Sequence, residues 1–452
     1  MVGGTNRSNT QPQGWNRRKF LQTAVATGSA VAAGYFVNPL PAQQSNSPNE
    51  RLSIAVVGVT GRAGENVREL SSQNIIAAAD CDADLLERGT SRLIGTRKYT
   101  DFRVMLEKEA EKIDAVAVST ADHTHAPASA MALRLKKHVY CEKPLTHTVF
   151  EARTLANLAA ENKLVTQMGT QIHAGDNYRR VVELIRAGAI GKVNEVHVWA
   201  NARYSGAKFT TGKPAPMNLN WDLWLGPAPE RPYSEGVHPF QWRRFWDYGM
   251  GALGDIGCHY IDLPHWALDL RHPTRVTAQG PTPDPVSAPD WCIVTYDYPS
   301  RGELPPVKLT WYDGGKRPDK LPAALAMLKD AKGVAPDWGS GQLFVGDQGM
   351  LIADYGRHEL LPREKFADYK RPEPSIAKSL GHHAEWVHAI KTGGSTTCSF
   401  DYSGALTEAV LLGTVAYRSG VALDWDAQNL RVKNSDAAQL LIHKEYRKGW
   451  TL

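Results

Sequence analysis

The sequence predicts an α/β domain on a parallel sheet, followed by an α+β domain on a mainly antiparallel one. Three observations carry this. Short apolar, β-branched runs recur between helix-length segments from residue 51 to about 145, the pattern of strands buried on both faces. A glycine-rich turn follows the first of them. Beyond about residue 190 the apolar runs alternate with polar residues and are separated by turn glycines, as in strands with one buried face.

Bulk properties agree with two globular domains. The chain has 452 residues, 42% hydrophobic and 22% charged, which excludes a disordered, collagen-like or polytopic membrane protein. The net charge of +5 is concentrated at the start. Residues 1–42 hold Arg7, Arg17, Arg18 and Lys19 and no acid, so the remainder is nearly neutral and offers nucleic acid no electrostatic footprint. Cys81, Cys141, Cys258, Cys292 and Cys398 show no C-x-x-C spacing. Neither a disulfide framework nor a structural zinc site is expected.

The N-terminus reads as an address. Arg17 and Arg18 shortly precede Phe20-Leu21, and an Ala/Gly-rich apolar stretch runs from about residue 23 to 37 before Pro39 and Pro41. This resembles a bacterial twin-arginine export signal. It implies a signal peptide over 1–42, a polar linker over 43–50 and a periplasmic or otherwise exported product. The apolar stretch is short and glycine-interrupted for a spanning helix, so no stable membrane insertion is expected after signal removal.

The first domain is expected over residues 51–173. Its first strand runs from about Arg51 into Gly58-Val-Thr60-Gly61-Arg62-Ala63-Gly64, with a helix after it. Glycines at such a strand-to-helix turn admit a pyrophosphate to the backbone, and the helix N-terminus then stabilises it. The spacing is G-x-x-G-x-x-G where the dinucleotide fingerprint is G-x-G-x-x-G. A second strand over 74–79 ends in Asp80, about 20 residues on, where an acid takes ribose hydroxyls; Asp82 competes for that role. An acid followed by Cys81, with no adjacent Arg, favours NAD, with NADP possible. A third strand over 113–119 leads into Thr120-Ala-Asp-His123-Thr-His125, and a fourth over 138–141 into Glu142-Lys143-Pro144. Ligands of open parallel sheets sit outside the carboxyl ends of the strands, so both clusters are site candidates.

Glu142-Lys143-Pro144, the preceding Gly-rich turn and the later Asp255-x-x-x-His259 together resemble the glucose–fructose oxidoreductase / inositol dehydrogenase / rhizopine-catabolism (Gfo/Idh/MocA) family. Trp221–Pro229 and Trp242-Arg243-Arg244-Phe-Trp246 extend the likeness to its exported bacterial branch. The resemblance implies a Rossmann-like N-terminal domain binding NAD(P). Its contacts would come from Gly58, Thr60, Gly61, Arg62, Ala63, Asp80, Thr120, His123, His125, Glu142 and Lys143. It implies a second domain over 174–452 with a large open sheet, one face under helices and the other free to pair in a homodimer or homotetramer. It places catalysis on Lys143, Asp255 and His259, and substrate contacts on Gln171, Trp242, Arg243 and His259, with no metal.

The chemistry can be read beside the resemblance. Asp255 and His259 stand at i,i+4, on one face of a helix; metal binding is the competing reading of that pair. Oxidising an alcohol removes a hydroxyl proton as hydride leaves, so a positioned acid/base is needed. His259 is the preferred proton acceptor with Asp255 orienting it, and Lys143 polarises the oxygen; the exchange of roles between Lys143 and His259 stays open. Most of Trp221, Trp224, Trp242 and Trp246 are expected in packing, while His382 and His383 are weaker pocket candidates. Segments 203–220 and 312–341 read as long loops. The expected activity is oxidoreduction of a sugar, polyol or glycoside secondary alcohol, with the nucleotide tightly held. A redox-neutral NAD-dependent glycosidase or lyase and a noncatalytic sugar-binding module are the alternatives.

Overall fold

The computed structural model describes residues 51–210 and 212–452. The expected signal peptide and linker lie outside the described residues. No helix among the described residues is long and apolar enough to cross a membrane.

Six parallel strands form the first sheet. They are β1 (Ser53–Val57), β2 (Asn74–Ala79), β3 (Arg97–Tyr99), β4 (Ala115–Val118), β5 (His138–Glu142) and β6 (Thr166–Gly169), in the order β3-β2-β1-β4-β5-β6. All four residues of β4 are buried, which is why it reads as an unbroken apolar run. The order reverses at β1/β4, so right-handed crossovers put the connecting helices on both faces and the carboxyl ends open onto a common crevice.

The second sheet has nine strands. β7 (Val193–Trp199), β8 (Arg275–Gln279), β9 (Ile293–Tyr298), β10 (Val307–Tyr312), β11 (Gly341–Gly346), β12 (Met350–Ala353), β13 (His358–Leu361), β14 (Leu423–Asp426) and β15 (Arg431–Val432) run in the order β13-β12-β11-β7-β10-β9-β8-β14-β15. Only the central β7/β10 pair is parallel. Val294, Tyr296 and Tyr298 alternate into the core under the long Phe400–Ser419 helix, while Thr295 faces the other way. Thr277, Thr295, Thr310 and His197 are cross-strand partners in one row, so the second face is polar over its middle. Among the described residues of 203–220 there is no helix or strand, as expected, but 312–341 is not a plain loop. It contains the Leu321–Ala326 helix, whose Leu321 and Ala324 pack with Trp199, Trp338 and Leu343.

Late segments return to the first sheet. Trp386, in the His382–Thr392 helix, is fully buried with Ile54, Val56 and Tyr140. The Phe400–Ser419 helix also approaches the Val149–Glu161 helix closely; a Cβ on Gly404 would lie 3.3 Å from that of Ala156. Its Gly413 meets the Gly251–Tyr260 helix and β9 just as tightly. A Cβ there would press on Tyr296 Oη and stand 2.7 Å from Leu253 Cδ2. Gly413→Ala is therefore expected to cost about 1–3 kcal/mol through overpacking, read as a fall in melting temperature. An unchanged melting temperature would contradict this packing.

Candidate active site

A cavity of about 880 Å³ opens at the carboxyl ends of β1, β2, β4 and β5. Gly58, Thr60, Gly61, Arg62, Ala63, Asp80, Thr120, His123, Glu142 and Lys143 line it, joined by Trp242, Arg243, Asp255 and His259. The expected cofactor, catalytic and substrate residues thus share one space, with two exceptions described below.

The nucleotide end is built from backbone. Gly58 has φ +85°, and a Cβ there would lie 2.5 Å from Ser119 O. Gly61 precedes the Arg62–Glu69 helix without a side-chain cap, leaving first-turn N–H groups available at the cavity. The Asp80 carboxylate accepts from Val59 N at 3.4 Å and Asp82 N at 3.1 Å. Burial raises it to about 6, so it is ionised at neutral pH and suits ribose hydroxyls. Asp82 is occupied elsewhere: it caps the Ala83–Thr90 helix and bonds Asn218 and His238. A glycine turn that excludes a Cβ, an uncapped helix start and an acid ending β2 fit a dinucleotide.

The opposite end is electrostatic. The Lys143–Pro144 peptide is cis, and Lys143 Nζ donates to Asp255 Oδ1 at 2.8 Å and Asp255 O at 2.6 Å. Arg243 Nε donates to the same Oδ1 at 3.1 Å, its guanidinium resting 4.2 Å above the Trp242 ring. Burial opposes the Lys143 cation, but the Asp255 carboxylate outweighs it and holds the ammonium above its usual range. Burial likewise opposes the Asp255 anion, yet Lys143 and Arg243 hold it well below the carboxylate range. His259 stands on the same Gly251–Tyr260 helix with its Nδ1 buried and unpartnered. Burial, reinforced by the Lys143 charge, pushes it down to about 3.

This arrangement corrects three expectations. Asp255 does not orient His259: its carboxylate is bonded to Lys143 and Arg243. The shared helix face is real, but two cations outcompete a neutral imidazole for one anion. His125 is not a cavity residue. Its ring bridges Pro144 O at 2.8 Å and Thr120 O at 3.1 Å, bracing the two strand-end loops. Gln171 also stands outside the lining; its Nε2 donates to Glu142 Oε1 and Tyr140 Oη behind the cavity wall. His382 and His383 fall in that same layer, His383 stacking on Tyr140 and bonding Asn66 Oδ1.

Two lining residues carry signals the sequence reading did not use. Tyr204 lines the cavity, and burial, helped by the Asp255 carboxylate, raises its phenol above the usual range. Asp122 is 2% exposed, with Oδ2 unpartnered; burial, helped by Asp255, raises it to about 8. At neutral pH Asp122 is chiefly a neutral carboxyl, able to donate to a ligand. Its place at the first turn of a helix ending the β4 loop was the available hint. Among the described residues no group of three or more His, Cys, Asp or Glu could hold a metal.

The fold and cavity define a dinucleotide-binding oxidoreductase class. The chain belongs to the Gfo/Idh/MocA oxidoreductase family: residues 52–170 match its NAD-binding Rossmann fold and 179–304 its C-terminal alpha/beta domain. Together the matches span more than half the chain. It is 25% identical over 174 residues to the myo-inositol 2-dehydrogenase of Thermotoga maritima, covering 38% of this chain and 48% of that protein. To the inositol 2-dehydrogenase of Rubrobacter xylanophilus it is 27% identical over 148 residues, 32% of this chain and 42% of that one. The matches thus span about half the length of these curated relatives. Among solved structures, the Bordetella pertussis WlbA dehydrogenase in complex with NADH and UDP-GlcNAcA has a TM-score of 0.58 at 15% identity, covering 83% of this chain and 99% of that one. The aldose-aldose oxidoreductase of Caulobacter crescentus has 0.53 at 17%, covering 83% and 100%. At these identities the likeness is one of fold.

Burial of uncharged histidines has a consequence for stability. His123, His259, His265 and His382 are held near 3, His125 and His383 near 4, each chiefly by burial. The unfolded chain protonates them near pH 6.5, so below that pH it binds protons the native state refuses, and stability falls with pH. Asp80, Asp122 and Asp313, raised to about 6, 8 and 7 by burial, act in the opposite sense but are fewer. Melting temperature is expected to decline steadily from pH 6.5 toward 4.5. A flat or rising profile would show that these imidazoles accept protons in the folded state.

Proposed function

We propose that this chain is an exported NAD-dependent oxidoreductase acting on a secondary alcohol or ketone of a sugar, polyol or glycoside. The observation that carries this is the pairing, in one cavity, of a permanently charged Lys143 with an uncharged His259. NAD, when bound, accepts or returns the hydride. The Lys143 ammonium stabilises negative charge growing on the substrate oxygen as the hydroxyl proton leaves. His259, uncharged at neutral pH, takes that proton. Asp255 acts by fixing Lys143.

A polyhydroxylated substrate suits the remaining lining. Asp122, Tyr204 and Arg243 offer hydroxyl-directed donors and acceptors beside the Trp242 ring. The similarity to inositol dehydrogenases supports the same class. The polar outer face of the nine-stranded sheet is the proposed contact for a homodimer or homotetramer. Outside the cytoplasm free NAD is scarce, so a second substrate must regenerate a nucleotide that never leaves.

Mass spectrometry of small molecules released on denaturing the purified protein tests the reading. Stoichiometric NAD or NADP is expected; an empty protein that also fails to bind added nucleotide would overturn it. Lys143→Ala should lower turnover by on the order of 10²-fold or more, measured per bound nucleotide. Full activity in that variant would remove Lys143 from the chemistry.

A further inference from the structure

We infer that the C-terminal strap, residues 444–450, belongs to the dinucleotide site, with Trp450 forming a wall at its adenosine end. The inference rests on the NAD reading above and adds a part of the chain far from any nucleotide-binding motif.

The strap is tied down along its length. Lys444 Nζ pairs with Glu151 at 3.2 Å, lies 3.1 Å from His147 Nδ1 and donates to His123 O at 3.4 Å. Tyr446 Oη donates to Glu151 Oε1 at 2.5 Å. Arg447 donates to Asp222 O and Gly226 O, and its backbone N–H to Pro227 O. Beyond these ties Gly449 O accepts from Arg103 Nη1 at 3.0 Å, and Trp450 reaches the cavity lining while only 8% exposed.

Its position within the cavity follows from the first sheet. Asp80 N donates to Tyr99 O, which sets the Thr100–Phe102 turn beside the acid expected to hold ribose. The Trp450 ring meets Phe102 at 5.8 Å between centroids. The Arg103 guanidinium lies 4.1 Å over the same ring and is itself held by Asp101. Thr100, Asp101, Phe102 and Trp450 line the cavity; Arg103 does not. An indole fixed by a cation on one side and a phenyl ring at another is a preorganised platform, and base–aromatic contact of this kind is sequence-tolerant and strong. The strap therefore runs from His123, at the reacting end, to the adenosine end, bracing both. A nucleotide enclosed this way exchanges slowly.

Isothermal titration of the full-length protein, stripped of co-purifying nucleotide with activated charcoal until none is released on denaturation, with NAD, ADP-ribose and nicotinamide mononucleotide tests the assignment. Trp450→Ala should weaken NAD and ADP-ribose by about tenfold or more and leave nicotinamide mononucleotide within about twofold, with Trp450→Phe restoring most of the loss. Trp450→Leu keeps the apolar fill without the indole and decides the matter should the alanine variant fail to fold. Unchanged ADP-ribose affinity would overturn the inference, and so would equal losses for both half-molecules, the mark of a general collapse. A wild-type chain that binds no dinucleotide would overturn the cofactor reading, and this one with it; the two failures are distinguishable because failure of the strap assignment alone leaves wild-type binding intact.

Discussion

The site depends on one buried ion pair. Lys143 and Asp255 come from opposite halves of the chain, the end of β5 and the Gly251–Tyr260 helix, and their side chains are 12% and 7% exposed. Neither charge would be tolerated alone at that depth. Together they fix each other's protonation state, while burial, reinforced by the Lys143 charge, keeps His259 neutral. The same pair ties the nucleotide sheet to the helix that carries the substrate end. That helix is in turn held against the Phe400–Ser419 helix by glycine contacts with no room for a methyl group.

Behind the pair lies a second polar layer that keeps Glu142 in place. Its carboxylate accepts from Asn66 Nδ2 and Gln171 Nε2, both at 2.8 Å, and Asn66 also reaches Ser119 and His383. Gly169 leaves the space for it; a Cβ there would fall 2.6 Å from the carboxylate. Satisfying a buried acid through neutral amides, instead of a cation, leaves Lys143 free to pair with Asp255. Gln171 and His383 work at one remove from the cavity, which is why they look like site residues in a sequence.

What was legible follows from how deeply each element is buried. The parallel strands β1, β2, β4 and β5 announce themselves because both faces are apolar, and the candidate residues Lys143, Asp255 and His259 because Glu142-Lys143-Pro144 and Asp255-x-x-x-His259 are local patterns. β3 is Arg-Lys-Tyr at a sheet edge, with Arg97 and Lys98 exposed, and no hydrophobic period marks it. The two-residue β15 is no more visible. Long-range choices were hidden as well. Whether Asp255 turns to His259 or to Lys143 is decided by a residue 112 positions away, and helical spacing alone favours the wrong partner. Asp82 could rival Asp80 in the sequence, yet its carboxylate is consumed in capping a helix.

Under the proposed chemistry, the charges around Asp255 bear on which state of the substrate oxygen the site favours. Lys143 and Arg243 share a single carboxylate, Asp255, while Asp122 is held mostly neutral and His259 uncharged. Asp255 alone does not offset both cations, so positive charge stands beside the cavity, with the Glu142 carboxyl behind it held by Asn66 and Gln171. A neutral hydroxyl meets that charge weakly, and an alkoxide meets it strongly. Interactions that strengthen as the reaction proceeds are those that accelerate it. A fully compensated cluster, with Asp122 ionised, would remove the excess charge and with it the preference for the developing oxyanion. Burial of Asp122 is thus part of the electrostatics of the site, even though the residue bears no charge of its own.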